Sequence, residues 1–161
     1  MKFYSAPWGI PLYFSSGLLV LLGFCSTFAA PWLMRAITPV GLAAFATWIL
    51  PTFVLGLLPF IIRGYEITPD SLLIRRLFWT TRLSRSGLQS AEVVPGAMKG
   101  SLRLCGNGGG FAFTGWYRNK ALGNYRAFVT DLKNTVVLRY ATKTIVVSPG
   151  DAEGFVKELA I

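Results

Sequence analysis

Histidine is absent from this chain of 161 residues, and it has only two cysteines. Without histidine, neither a Ser–His or Cys–His nucleophilic pair nor a His-ligated metal site can form. Cys25 lies in an apolar stretch and Cys105 in a more polar one, which argues against a disulfide between them. The sequence therefore predicts no catalytic residues, no metal site and no cofactor.

Formal charge is almost missing from the chain before Arg63, where only Lys2 and Arg35 carry one. The rest holds 14 of the 16 basic residues and all 7 acidic residues, a net charge of +7. The whole chain is 53% hydrophobic with a mean hydropathy of +0.50, which is too apolar for an ordinary soluble domain of this size. We therefore predict a membrane segment over 1–62 and a soluble domain over 63–161.

Two uncharged stretches, 3–34 and 36–62, are each long enough for a transmembrane helix, which needs about 20 apolar residues. We predict spans over 12–31 and 40–62. Few residues remain between them, so the two helices would form a tight antiparallel hairpin with Arg35 in its loop. The predicted class is an α+β membrane protein.

A cleaved signal peptide is the alternative for the first stretch, with the cut after Ala30. Phe28 three residues before that cut, Pro31 directly after it and the length of the apolar run argue against cleavage.

Basic residues around the second span predict the orientation. They are concentrated after it, at Arg63, Arg75, Arg76 and Arg82, whereas the hairpin loop has Arg35 alone. The positive-inside rule then places the soluble domain in the cytoplasm. The expected location is the inner (plasma) membrane, as a multi-pass protein with both termini cytoplasmic.

Gly23, Thr27 and Ala30 form a stripe of small residues along the first span, and such stripes let helices approach closely. Packing within the hairpin is the simpler interpretation. Self-association into a homo-oligomer is the alternative and stays open at this stage.

Short apolar–polar alternations separated by turn residues fill the chain after Gly64, which is the pattern of a β-rich domain. The last segment instead has the form of a helix start, with Ser148 as the cap, Pro149 next and Asp151 at the third position. Phe155 and Leu159 then give that helix an apolar stripe. The predicted strands are 65–68, 72–77, 78–84, 88–94, 101–104, 111–118, 125–130, 135–140 and 144–147.

The domain contains a set of short characteristic runs: Tyr65-Glu66-Ile67, Leu72-Leu73-Ile74, Leu102-Arg103-Leu104, Gly115-Trp116-Tyr117, Leu122-Gly123, Ser148-Pro149 and Phe155-Val156. This pattern over about 64–159 resembles the bacterial pleckstrin-homology (PH)-like domain family. The resemblance implies a PH-like antiparallel β-barrel or sandwich with a C-terminal capping helix, and a binding module rather than an enzyme. Members of that family often carry an N-terminal membrane hairpin.

One departure from the phosphoinositide-binding PH pattern is visible. That pattern requires a Lys and a Lys/Arg-x-Arg set on the first two strands, whereas Arg75 and Arg76 are adjacent and should point to opposite faces of a strand. Specific inositol-phosphate binding is therefore not predicted.

Two groups of basic residues are the candidates for binding anionic lipid or a protein partner. A domain tethered at the bilayer turns some of its basic surface towards the head groups, and each such charge is worth about 1 kcal/mol. The alternative is that these charges serve only topology and solubility, and both interpretations stay open. The first group is Arg75, Arg76, Arg82 and Arg85, and the second is Arg118, Lys120 and Arg126 beside Trp116 and Tyr117.

The glycine-rich stretch 106–110 lacks the Lys-Ser/Thr of a phosphate-binding loop, so we interpret it as a flexible hairpin loop. Nucleic-acid binding is disfavoured by the membrane tether and the lack of a known motif. The sequence thus predicts a non-catalytic membrane-anchored binding or scaffold module for an unidentified protein partner and anionic lipid. The alternative is a small accessory subunit of a transporter or channel. That role would need polar groups in the spans, where only Ser, Thr and Cys occur.

Overall fold

The computed structural model describes residues 2–28 and 40–159, with the side chains of the second helix described from Thr47 onward. The predicted loop around Arg35, and Ala30 of the small-residue stripe, lie outside these ranges. The helices are α1 (Ile10–Phe28), α2 (Val40–Leu57) and α3 (Ala152–Leu159). The strands are β1 (Lys2–Ser5), β2 (Ile62–Ile67), β3 (Ser71–Arg76), β4 (Thr80–Ser84), β5 (Leu88–Val93), β6 (Leu102–Gly108), β7 (Phe113–Asn119), β8 (Gly123–Val129), β9 (Val136–Tyr140) and β10 (Thr144–Val147).

Two sheets enclose the main core. The first has the order β1-β2-β3-β4 and the second β5-β9-β10-β8-β7-β6. Buried apolar residues of both sheets meet in one cluster, which α3 closes with Phe155 and Leu159. The predicted sheet-rich domain with a C-terminal helix is therefore confirmed.

The second sheet contains one parallel strand pair, so the prediction of a wholly antiparallel barrel or sandwich was wrong. Strand β10 pairs with β8 in parallel, with Ile145 opposite Arg126, and with β9 in antiparallel. The cause is the β9–β10 hairpin: its second strand inserts beside β8, so β10 runs against β9 and along β8.

No sequence pattern predicted β1, which precedes the first helix and completes the first sheet. It pairs antiparallel with β2, from Lys2 opposite Ile67 to Ser5 opposite Gly64. Tyr4 is buried, its ring lies edge-on to Phe155 at 5.1 Å between centroids, and its hydroxyl donates to Gly154 O at 3.0 Å. The chain therefore enters and leaves the helix pair from neighbouring strands of one sheet.

The second apolar helix ends before the predicted span does. Among the described residues, one helix, Ile10–Phe28, is long and apolar enough to cross a membrane, with a mean hydropathy of 1.6; Thr47–Phe60 is a shorter apolar stretch. The second predicted span ran to residue 62, whereas α2 ends at Leu57 and a 3-10 turn follows. Pro59 lies in that turn, where its missing N–H costs no helical hydrogen bond.

Gly23 of the small-residue stripe faces the second helix. A Cβ placed on Gly23 would lie 3.5 Å from Val54 Cγ2 and 4.0 Å from Pro51 Cα. These are ordinary van der Waals distances, so Gly23 packs against the second helix without an unusually close approach. Self-association of the stripe stays a hypothesis.

Asp151, not Ser148, caps the C-terminal helix. Its Oδ1 accepts a hydrogen bond from Gly154 N at 2.8 Å, and α3 starts one residue later, at Ala152. Ser148 is buried instead, where its Oγ accepts from Thr130 N at 2.8 Å. The cap prediction was wrong because Ser148 satisfies core backbone groups, which a local sequence pattern cannot show.

Candidate functional site

Strand register divides the domain into two ends. Ile62, which follows the 3-10 turn at the end of the second helix, lies opposite Arg76, and we call this the helix-side end of the first sheet. Ile67 lies opposite Leu72 at the other, far end. In the second sheet, Phe113 and Val129 form the helix-side end, because Gly9 N, one residue before α1, donates to Thr130 O at 3.0 Å.

The first group of predicted binding residues is spread along the whole first sheet. Arg75 and Arg76 lie at the helix-side end, and Arg82 lies opposite Leu73 in the middle. Arg85 lies at the far end, where its backbone N–H donates to Asp70 O at 2.9 Å. The structure therefore brings together only two of these four residues.

The second predicted group is also divided. Arg118 lies opposite Asn124 near the far end, and Lys120 lies in the turn beyond it, between β7 and β8. Arg126 lies opposite Trp116 in the middle of its strand. These residues are close together in the sequence, but they lie at different distances from the helix-side end of the sheet. The sequence did not show this difference.

Arg76 is the most enclosed basic residue of the site, with 8% of its surface exposed. Its guanidinium carbon lies 5.3 Å from the ring centre of Phe128, 5.5 Å from Trp79 and 5.8 Å from Phe60. Its Nε has no hydrogen-bond partner in the described part of the chain. Burial, reinforced by the charge of Arg126, lowers the pKa of Arg76. The favourable contacts of this cation are therefore with aromatic faces.

Arg126 approaches the same ring, with its guanidinium carbon 4.9 Å from the centre of Phe128. Neither Arg76 nor Arg126 forms an ion pair within the described ranges. Two cations thus share one aromatic ring without a neutralising acid, an arrangement that favours an anion nearby.

Arg75 points to the opposite face of its strand, as its adjacency to Arg76 predicted. Its Nη2 lies 2.6 Å from Glu66 Oε2, and its Nη1 donates to Thr80 Oγ1 at 3.2 Å. The two side chains therefore leave their strand on opposite faces.

An apolar turn, residues 77–79, joins β3 to β4 at the helix-side end. Leu77, Phe78 and Trp79 are all exposed, Phe78 by 72%. Leu77 N donates to Ile61 O at 3.1 Å, and the Trp79 ring lies edge-on to Phe60 at 5.8 Å. Phe78 and Trp79 were predicted to lie in a strand, whereas they belong to this exposed turn. Three consecutive large apolar residues break the alternation of a half-buried strand, and that break was the available signal.

Two clefts flank the junction of helices and domain. The first, of about 410 Å³, lies along the apolar turn and is also lined by Phe3, Arg63, Arg75 and Arg76. The second, of about 530 Å³, lies between α1, α2 and the glycine-rich segment, with Arg103 at its edge. The arginines thus lie where the apolar helices meet the polar domain.

The glycine-rich stretch 106–110 forms the end of β6 and the start of the hairpin turn into β7, so the hairpin part of its interpretation is confirmed. This stretch also packs against the first helix, which the sequence did not predict. Ser15 Oγ donates to Gly109 O at 2.7 Å, and Phe111 N donates to Ser16 Oγ at 2.9 Å. A Cβ on Gly110 would lie only 2.6 Å from Leu57 Cδ1. Absence of side chains allows this close approach.

Strand β6 is an edge of the second sheet and is exposed along most of its length. Leu102 and Leu104 on it and Trp116 on the neighbouring strand are exposed apolar side chains. An open edge with unpaired backbone groups can accept a further strand. Across the described ranges there is no group of three or more His, Cys, Asp or Glu side chains that could hold a metal ion.

Comparison with known protein families supports this architecture. No curated protein and no solved structure matches the chain. The sequence model of one family, described as the bacterial PH domain, matches residues 63–160, more than half of the chain. With the two-sheet domain and its C-terminal helix, this match shows that the chain belongs to the bacterial PH domain family.

Proposed function

We propose that this protein is a membrane-anchored, non-catalytic binding module. Its helix pair fixes the PH-like domain at the cytoplasmic face of the inner membrane, where the domain holds a protein partner and contacts anionic head groups. The observation that carries the proposal is the exposure of the apolar helices.

A long apolar helix in a soluble protein is normally a core helix that is mostly buried. In α1, only 17% of the apolar window is buried. Its aromatic side chains Phe14, Phe24 and Phe28 are exposed, as are Trp48 and Phe53 on the second helix. Contiguous apolar surface of this kind favours a lipid environment.

The N-terminal strand speaks against the signal-peptide alternative. Cleavage after Ala30 would remove β1, which covers one edge of the first sheet and buries Tyr4. A segment that completes the folded domain is poorly suited to removal. The strand pairing also supports both ends of the helix pair lying on one side of the membrane.

The first prediction is topological: both termini are cytoplasmic and Arg35 is in the external loop. It rests on the concentration of basic residues after the second span. In a background with Cys25→Ala and Cys105→Ala, Arg35→Cys and Thr142→Cys are compared by labelling with a membrane-impermeant maleimide. In intact cells only Arg35→Cys should react, and both should react after permeabilisation. Reaction at Thr142→Cys in intact cells would reverse the orientation.

A protein partner fits the exposed edge strand β6 best. A photo-crosslinking amino acid at Leu104, in native membranes, should capture a discrete partner. The same probe at exposed Lys143, in the β9–β10 turn, serves as control. Equal products from both positions would remove the edge as the binding surface.

A further inference from the structure

We propose that the apolar turn, residues 77–79, inserts into the interface of the cytoplasmic leaflet, with Arg63 and Arg75 on lipid phosphates beside it. This inference rests on the proposed function, since it requires the helix pair to be in the membrane. It assigns the bilayer-facing surface of the domain to this end, away from Arg118 and Lys120.

The backbone fixes the height of the apolar turn. Leu77 N donates to Ile61 O at 3.1 Å, and only the 3-10 turn separates Ile61 from the last residue of α2. The Trp79 ring contacts Phe60 edge-on at 5.8 Å. With no spacer between helix and domain, the turn lies level with the point where the helix leaves the hydrocarbon.

Packing within the domain does not account for the exposed apolar side chains of the turn. Phe78 is 72% exposed, and Leu77 and Trp79 beside it are exposed as well. Consecutive exposed apolar residues mark an interaction surface, and tryptophan favours the membrane–water interface. The described residues of the domain offer them no further cover.

The charges beside the turn suit lipid phosphates. Arg63 and Arg75 line the cleft of about 410 Å³ along the turn, and Arg63 forms no ion pair within the described ranges. Glu66 neutralises Arg75 in part, through the contact of 2.6 Å. A cationic cleft next to an apolar projection complements a leaflet whose phosphates lie above its acyl chains.

A protein partner on this turn is disfavoured by position. Such a partner would have to fit between the domain and the bilayer. Only Ile61 separates the 3-10 turn from β2, so the chain has no linker that would hold the domain away from the bilayer. The exposed apolar residues of β6 do not have this restriction, and Leu102 there provides a matched control position.

The test measures how deep single labelled residues of the full-length chain lie in the bilayer of anionic nanodiscs. Nitroxide labels are placed singly at Phe78→Cys, Leu102→Cys and Phe24→Cys, in a background with Cys25→Ala and Cys105→Ala. Relaxation by oxygen, which concentrates in lipid, is compared with relaxation by a water-soluble nickel chelate. We expect the label at 78 to be shielded from nickel and the label at 102 to be accessible.

The label at Phe24 separates the two proposals. If 24 is deep and 78 is as water-accessible as 102, the inference is overturned while the membrane anchor stands; the turn would then be free for a protein. If 24 is itself water-accessible, the proposed function fails, and the inference with it.

A second measurement tests the phosphate contacts. Arg63→Gln/Arg75→Gln should shift the docking equilibrium of the turn by about 30-fold on anionic nanodiscs, and less on zwitterionic ones. Arg118→Gln/Lys120→Gln makes the same change of charge away from the helices and should leave the depth at 78 unchanged. Equal effects of the two pairs, or no effect of the first, would overturn the assignment of the phosphates to Arg63 and Arg75.

Discussion

Gly115 shows how one residue type allows two strands to meet closely. It lies opposite Gly106 in the β6–β7 pair, and its φ of +132° is a conformation open mainly to glycine. A Cβ there would overlap the carbonyl oxygen of Cys105 and lie 2.8 Å from Gly106 Cα. Backbone atoms cannot move aside as a flexible side chain could.

We therefore predict that Gly115→Ala destabilises the protein by about 3–5 kcal/mol. Gly87→Ala is the matched control, since Gly87 also has a positive φ, +83°, but its Cβ would meet no atom within 4 Å. That variant should lose only about 1–2 kcal/mol. Thermal unfolding of the full chain in detergent compares the two, and equal losses would show that conformation alone, without the overlap, sets the cost.

Tyr65 gives the stability a dependence on alkaline pH. Its hydroxyl donates to Phe128 O at 2.6 Å inside the core, and burial raises its pKa to about 12 from an ordinary value of 10.0. Below pH 10 both the folded and the unfolded chain keep this proton. Between these two pKa values only the unfolded chain loses it, so the stability falls as the pH rises.

The expected slope from Tyr65 is about 1.4 kcal/mol per pH unit in that window. Tyr65→Phe should be less stable at neutral pH, because a buried hydrogen bond is lost, but its stability should fall less steeply above pH 10. Tyr117, whose pKa burial also raises to about 12, keeps its contribution in both proteins. Parallel pH profiles for wild type and Tyr65→Phe would contradict the assignment.

At the scale of the secondary-structure elements, the packing of α3 onto the core depends on the ring of Phe155. Phe155 is fully buried and lies edge-on to Tyr4 and Tyr65, with centroid distances of 5.1 and 6.1 Å. Phe155→Ala should cost about 3–5 kcal/mol through lost burial and the cavity it leaves. Lys157→Ala on the exposed face of the same helix is the control and should change stability by less than about 0.5 kcal/mol. A small loss for Phe155→Ala would mean that the helix does not seal the core.

Local pattern predicted most strands and the final helix to within a few residues, because alternation and turn residues are local signals. It missed β1, which has four residues and a partner that follows two helices. It also missed the parallel contact of β10, because pairing direction depends on insertion between distant strands. The site was predicted less well: nothing near Arg85 or Lys120 in the sequence shows which end of its strand lies by the helices.

At the scale of the whole molecule, the PH-like fold is not confined to the part after the helices. A fragment of residues 63–161 lacks β1 and exposes the surface that Tyr4 covers. A second fragment can restore the strand by joining residues 2–9 to residue 61 through a flexible linker in place of the helices. We predict that the linked fragment is the more stable, by a clear rise in melting temperature.

Tyr4→Ser in the linked fragment is the control for this comparison. It removes the ring packed on Phe155 and the hydroxyl donated to Gly154 O, and should reverse most of the gain. A fragment of 63–161 that melts as high as the linked one would show that β1 is dispensable.

The pairing of β1 with β2 has a consequence for how the protein is made. If the helices cross the bilayer as proposed, these strands meet only when the chain has crossed an even number of times. If one helix failed to insert, the first residues of the chain would lie on the opposite side of the membrane from β2. Ile62–Ile67 would then have an open edge, and Phe155 would lack its contact with Tyr4. The first sheet is therefore complete only in a molecule whose chain has crossed the membrane an even number of times. A misinserted chain would present an incomplete sheet to the quality-control proteases of the cytoplasm.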